Sequence, residues 1–261
     1  MPKKKQALLY IVLTFLIVSF AACGLNLDKV NVKIPFVPTK TSTLIPTPLP
    51  TVTPTYPPKI EASTNQYLVE VQEDSSTIFT DLELGYQLEF SPEWLVISVD
   101  ETGQDTLLEN TADALSENMQ QMLSAALQQG GIRMIAMDYI QVYHETGDSI
   151  ANMNVIYQTD LASQTYELSF LLENNAAVLP TLIPDSDVTY QAIQTNPNGI
   201  EYAKMVVRHP ASTFGTPLQQ IMMMVKLDEG VLAITASVEE SMYSEAEPAF
   251  LRVFNSLKWV D

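Results

Sequence analysis

Ile221-Met222-Met223-Met224-Val225 has no polar residue at either alternating position. A strand points successive side chains to opposite faces, so this run offers apolar surface on both. Such a strand has to be covered on both sides. After Asp228-Glu229-Gly230 the chain returns with Val231-Leu232-Ala233-Ile234, also apolar on both faces. The pair predicts a hairpin over 221–227 and 231–238. The expected fold class is α+β, a three-layer α/β/α sandwich around a central, mainly antiparallel sheet. A soft methionine-rich binding surface is the other reading of the same residues.

Working outward, further strands are predicted over 188–193 and 200–207, on either side of the turn sequence Asn196-Pro197-Asn198-Gly199. A closing helix is predicted from Ser244, with Glu247 three residues on as a capping box and a buried stripe of Phe250, Val253, Phe254 and Leu257. Upstream, strands are expected over 132–139 and 153–157, with Gly147-Asp148 turning between them. A helix is expected over 110–129, ended by Gly130-Gly131, and another over 163–174 around Tyr166, Phe170 and Leu171. Near the start of the folded part, Tyr86, Leu88 and Phe90 alternate with Gln87 and Glu89 as in a half-buried strand. Ser91-Pro92-Glu93 is a turn signal, and Trp94 opens a strand to Val99, so the two are expected to form a hairpin of edge-like strands.

The stretch Gly85-Tyr86-Gln87-Leu88-Glu89-Phe90-Ser91-Pro92-Glu93-Trp94 resembles the opening of the PsbP/Mog1-like domains. Asn152-Met153-Asn154-Val155 is similar to their next recurrent strand, and Phe250 to Leu257 with Ser256 to their closing helix. The order and spacing cover most of residues 75–261. The resemblance implies an antiparallel sheet between helices. It also implies structural roles for Gly85, Tyr86, Pro92, Trp94 and Phe250: turns for Gly85 and Pro92, core positions for Trp94 and Phe250. One branch of that family is an extrinsic subunit of photosystem II and another binds a nuclear GTPase. No metal-binding or partner-binding residue carries over, and a shared fold does not imply a shared function.

The start of the chain reads as an export signal. Lys3, Lys4 and Lys5 precede an apolar stretch from Ala7 to Ala22. That stretch is shorter than the ~20 residues of a spanning helix, and it has the regions of a secretory signal peptide. Ala21 and Ala22 lead into Cys23, the only cysteine. The junction resembles the bacterial lipobox, which implies cleavage before Cys23, a lipid on its sulfur and acylation of the new amino end. An uncleaved signal anchor and an ordinary secretory cut are the alternatives. The expected organisation is a signal peptide over 1–22, a tether over 23–60 and a single domain over 61–261. From Pro35 to Pro58, eight of 24 residues are Pro and seven are Thr. Proline removes backbone donors and fixes φ, so this stretch is expected to be a polyproline II spacer reaching roughly 75 Å. The Thr-Pro alternation also resembles O-glycosylated stalks. The expected location is the extracytoplasmic face of a bacterial membrane, with the membrane reached through the lipid on Cys23.

The whole chain has 13 Lys+Arg against 31 Asp+Glu, a formal net charge of -18. Residues 61–261 alone hold 30 acids and six bases and stand near -24. Such a surface repels nucleic acid and anionic headgroups, and favours cations or basic partners. One cysteine excludes a disulfide framework and multi-cysteine zinc sites. The sequence contains no G-x-S-x-G elbow, H-E-x-x-H or P-loop. His144 and His209 are expected in exposed turns or loops. Asp185-Ser186-Asp187 and the acids between Glu145 and Asp148 lack the twelve-residue calcium-loop pattern. No catalytic, cofactor-binding or metal-ligating residue is therefore named. The function expected is a non-catalytic surface lipoprotein, a binding or envelope-assembly module with an unknown protein or envelope partner. The alternative is a hydrolase acting on cell-wall or extracellular glycan through two carboxylates.

Overall fold

The computed structural model describes residues 59, 61–99, 131–138, 151–211 and 216–260. The order is β1 (Ala62–Ser63), β2 (Tyr67–Val71), β3 (Thr77–Asp81), β4 (Tyr86–Phe90), β5 (Trp94–Ser98), β6 (Ile132–Asp138) and β7 (Asn152–Gln158). Then come α1 (Leu161–Thr165), α2 (Leu168–Leu182), β8 (Asp187–Thr195), β9 (Glu201–His209), β10 (Leu218–Leu227) and β11 (Gly230–Glu239). A 3-10 turn (Glu240–Met242) leads into α3 (Tyr243–Ser256), and β12 (Lys258–Trp259) follows. The predicted leader, the tether apart from Lys59, the 110–129 helix and the Gly147-Asp148 turn lie outside the described residues, as do Cys23 and His144.

Two antiparallel sheets result. The large one runs β5-β6-β7-β11-β10-β9-β8 and the small one β1-β2-β3-β4-β12. The methionine strand decides the layering as its sequence required. Ile221, Met223 and Val225 belong to one core, with Trp94, Phe250 and Phe254. Met222 and Met224 belong to the other, with Leu168, Leu171 and Leu172 of α2. So α1 and α2 cover one face of the large sheet, while α3 and the small sheet cover the other. The fold is an α+β sandwich, one outer layer of which contains a second sheet.

Local chemistry accounts for the elements. The Asp160 carboxylate caps α1 by accepting from the Ala162 and Ser163 amides at 2.9 and 3.0 Å. The Asn196 carboxamide oxygen shapes the β8–β9 turn by accepting from the Asn198 and Ile200 amides, both at 3.0 Å. Its nitrogen donates to the Leu257 carbonyl at 2.7 Å, which pins the turn to the end of α3. The helical pattern over 163–174 falls into two helices with a break at Tyr166–Glu167. Leu171 faces inward there, whereas Phe170 is exposed and lies over Tyr166 with ring centroids 4.5 Å apart.

Two expectations are corrected. β4 and β5 are not a hairpin. β4 lies between β3 and β12 in the small sheet, while β5 pairs with β6 at an edge of the large one. Ser91–Glu93 turns the chain from one layer to the next. Trp94 drives the crossing, because its fully buried indole fills the gap between Phe90 and Phe250 at 6.1 and 6.0 Å. The capping box at Ser244 does not form either. α3 starts one residue earlier and has no side-chain cap. The preceding 3-10 turn already occupies its first amide, with Tyr243 N–H donating to the Glu240 carbonyl. Glu247 accepts from the Tyr243 hydroxyl at 2.9 Å instead.

Candidate functional site

The positions singled out by the family resemblance lie at a turn, in the core and at the β4–β5 crossover. Gly85 turns β3 into β4 at a φ of 68°, where a side chain is strained. Its amide donates to the Asp81 carbonyl and its carbonyl accepts from the Val260 amide, both at 2.9 Å. An added Cβ would stand 3.3 Å from the Val260 carbonyl oxygen. Tyr86, Trp94 and Phe250 are fully buried. Burial raises the Tyr86 phenol well above its usual range, and the Asp81 carboxylate raises it further. Pro92 alone reaches the surface feature described below.

Asp81 and Arg133 join the two sheets. Asp81 ends β3 with its side chain out of reach of water, and its Oδ1 accepts from the Glu83 and Leu84 amides at 3.1 and 2.9 Å. Arg133, on β6, grips it in a fork: Nε to Oδ2 at 2.8 Å and an Nη to Oδ1 at 3.1 Å. The same Nη reaches Glu83 at 2.7 Å, and the guanidinium lies over the Tyr67 ring at 5.0 Å. Burial alone would lower the Arg133 pKa, but the bonds to Asp81 and Glu83 outweigh it and hold the group charged. Its Nε and one Nη are engaged by partners within the fold, so this cluster fastens layers together.

His209 is not in an exposed loop. It ends β9 and is 2% exposed, with Nδ1 2.9 Å from the Ser186 hydroxyl. Burial lowers its pKa to about 4, against a smaller opposing effect of a hydrogen bond with Gln220. β10 carries Leu218 opposite His209. Within Asp185-Ser186-Asp187, the Ser186 hydroxyl is therefore turned inward to the imidazole.

A surface depression among the described residues has a volume of about 690 Å³. It lies between the β2–β3 turn, the β4–β5 crossover and the last turns of α3, lined by Asp74, Ser76, Glu89, Ser91, Arg252 and Asn255 among others. Ser76 hydroxyl and amide donate to Asp74 at 2.7 and 3.0 Å and hold that carboxyl below its usual range. Ser91 hydroxyl donates to Glu93 at 2.5 Å. Ser256 hydroxyl accepts from the Glu89 amide at 2.9 Å and donates to the Val253 carbonyl at 2.7 Å, so it ties helix to strand. Arg252 makes no ion pair among the described residues. Sequence reasoning missed Asp74, Ser76, Arg252 and Asn255, because only the docking of α3 on β4 brings them together. Glu89, Ser91 and Pro92 lay within the quoted opening motif and Ser256 within the closing helix.

No family model and no curated protein sequence matches the chain. Solved structures do. Cyanobacterial PsbP (CyanoP) from Synechocystis sp. PCC 6803 is 12% identical over 72% of this chain and 95% of that one, with a TM-score of 0.44. The Ran-binding protein Mog1p of Saccharomyces cerevisiae is 8% identical over 72% and 97%, with a TM-score of 0.41. LpqN of Mycobacterium tuberculosis, described as involved in cell envelope biogenesis, is 9% identical over 75% and 91%, also with a TM-score of 0.41. The chain is similar to these structures over about three quarters of its length. At such identities the likeness transfers no activity, partner or site to this chain.

Proposed function

We propose that the chain is a non-catalytic lipoprotein of the extracytoplasmic face, held by a lipid on Cys23, whose body works by contact with an envelope partner. The leader ending at Cys23 and the Pro/Thr tether support the anchoring. The chemistry of the depression carries the reading of contact. Asp74 is held ionised, Ser91 is bonded to Glu93, and Ser256 is bonded to backbone. That leaves Glu89, Arg252 and Asn255 to present charge and amide groups to another molecule. A glycan hydrolase with paired acids requires one carboxyl held protonated near neutral pH, and Asp74 is displaced in the opposite direction. The acidic body favours a basic or neutral partner.

The test has two parts. Cys23→Ser is expected to move the protein from the membrane to the aqueous fraction, and mass spectrometry of the mature amino terminus is expected to find the acyl chains. An unmodified Cys23 defeats the anchoring. For contact, Arg252→Glu and Glu89→Lys are compared with wild type in pull-downs from the native envelope. The retained partner is expected to be lost with at least one of them while the thermal midpoint is kept. Turnover of a glycan that disappears in Asp74→Asn would replace this reading with the hydrolase.

A further inference from the structure

The large sheet ends in two unlike edges. On β5, Lys59 Nζ donates to the Pro92 carbonyl at 2.8 Å and the Trp94 carbonyl at 3.3 Å. β2 and β3 pack against the same strand, and four of its five residues are buried. β8 is different. It pairs with β9 on one side and with no described strand on the other, and most of its nine residues are exposed. A row of unpaired N–H and C=O groups is a template for another strand, and edges are commonly blunted with Lys, Pro or an inward charge. The β8 sequence Asp-Val-Thr-Tyr-Gln-Ala-Ile-Gln-Thr has no Lys or Pro, and its one charge is at the first position. A bulge between Val188 and Tyr190 leaves 190–195 in regular register.

The side chains of this edge are already arranged. Tyr190 is 42% exposed and Ile193 40%. They lie opposite Val206 and Ala203, which belong to the two different cores, so they stand on opposite faces of the strand. Gln194 donates to the Tyr190 hydroxyl at 2.7 Å and accepts from Tyr202 at 2.8 Å, while Lys204 Nζ lies 5.5 Å from the Tyr190 ring centroid. Pairing here would bury both apolar side chains with little further ordering.

We propose that β8 pairs antiparallel with β8 of a second copy, about a twofold axis near Gln191, so that two large sheets become one. Charge selects the occupant. Residues 188–195 carry no charge, so a charged peptide finds no counterpart along the strand, whereas a copy of the same strand meets no like charge on it. In this register Tyr190 of each copy lies beside Ala192 of the other, and Ile193 beside Thr189, large against small on both faces. Repulsion between the acidic bodies is screened beyond ~8 Å at physiological salt. An edge of this length buries less than the ~1,600 Å² of a standard stable interface, so the dimer is weak in dilute solution. It becomes populated where copies share a thin layer at high effective concentration, a condition that rests on the anchoring read from Cys23.

The test uses the full-length chain in detergent solution and on liposomes, with dimer fraction followed by energy transfer between labelled copies. Wild type is expected to dimerise increasingly with concentration and with surface density. Gln191 is exposed, so Q191K and Q191E are expected to keep the wild-type thermal midpoint. Each alone places like charges face to face and lowers the dimer constant about twofold to fivefold. An equimolar mixture of the two restores it. If either variant unfolds, I193K in place of it is expected to lower the dimer fraction in the same way. A wild type monomeric at every density, a mixture that fails to recover, or a dimer untouched by either charge overturns the proposal. So does a monomer that captures a different protein's strand at β8. A dimer in concentrated detergent with no gain on liposomes supports the pairing and counts against the anchor, so the two fail separately.

Discussion

Arg133 gives Asp81 its only cationic partner among the described residues, and the pair bridges β3 and β6. Removing one member of a buried pair leaves an uncompensated charge, which costs about 3–5 kcal/mol. Arg133→Met is therefore expected to lower the urea midpoint by that equivalent. The double variant with Asp81→Asn is expected to recover part of the loss, because the buried charge goes with its partner while Oδ1 still accepts from the Glu83 and Leu84 amides. His209 provides a second prediction. Its imidazole titrates near 6.5 when unfolded and near 4 in the fold. The unfolded chain binds the proton first, so the stabilisation is full above about pH 7, declines as pH falls, and is gone below about 4. The loss is on the order of 3 kcal/mol across that window. His209→Gln is expected to flatten this part of the stability profile relative to wild type, as measured by urea unfolding at pH 7.5, 5.5 and 4.5.

At the scale of elements, the two hairpin strands around Asp228-Glu229-Gly230 were legible because burial on both faces leaves no polar alternation to misread. β4 was legible for the opposite reason, since Glu89 and Gln87 mark its wetter side. The pairing of β4 with β12 instead of β5 was not legible. Nothing local distinguishes a tight hairpin from a turn that passes between layers, and the deciding contact is between Trp94 and Phe250, far apart along the chain. The depression was hidden for the same reason, and the Asp81–Arg133 pair with it. His209 was misread because the following proline suggests a loop, whereas the strand runs right up to it. β7 and β11 supply a further test. A Cβ on Gly230 would stand 2.1 Å from the Gln158 carbonyl oxygen, a backbone atom with little room to yield. Gly230→Ala is expected to cost about 1–3 kcal/mol through forced separation of these strands, visible as a lower thermal midpoint and faster amide exchange across 152–158.

At the scale of the whole molecule, the charge near -24 on residues 61–261 sets the medium in which any partner is met. Steering of a basic partner by such a field weakens steeply with ionic strength. Association rates measured between 20 and ~300 mM salt are expected to fall by about tenfold or more, with dissociation much less affected. A flat salt profile would point to a neutral partner held by Asn255 and neighbouring backbone.

The small sheet has a consequence for how the polypeptide comes into being. Its β4 strand is completed by Lys258–Trp259 and roofed by α3, both made after every other described strand and helix. A chain emerging amino end first, from a ribosome or a secretion pore, therefore holds Tyr86, Leu88 and Phe90 without their cover until residues 243–259 arrive. Until then those apolar side chains are exposed to proteases and to aggregation. A premature stop before the closing helix removes β12 with it and leaves that early sheet both unroofed and a strand short.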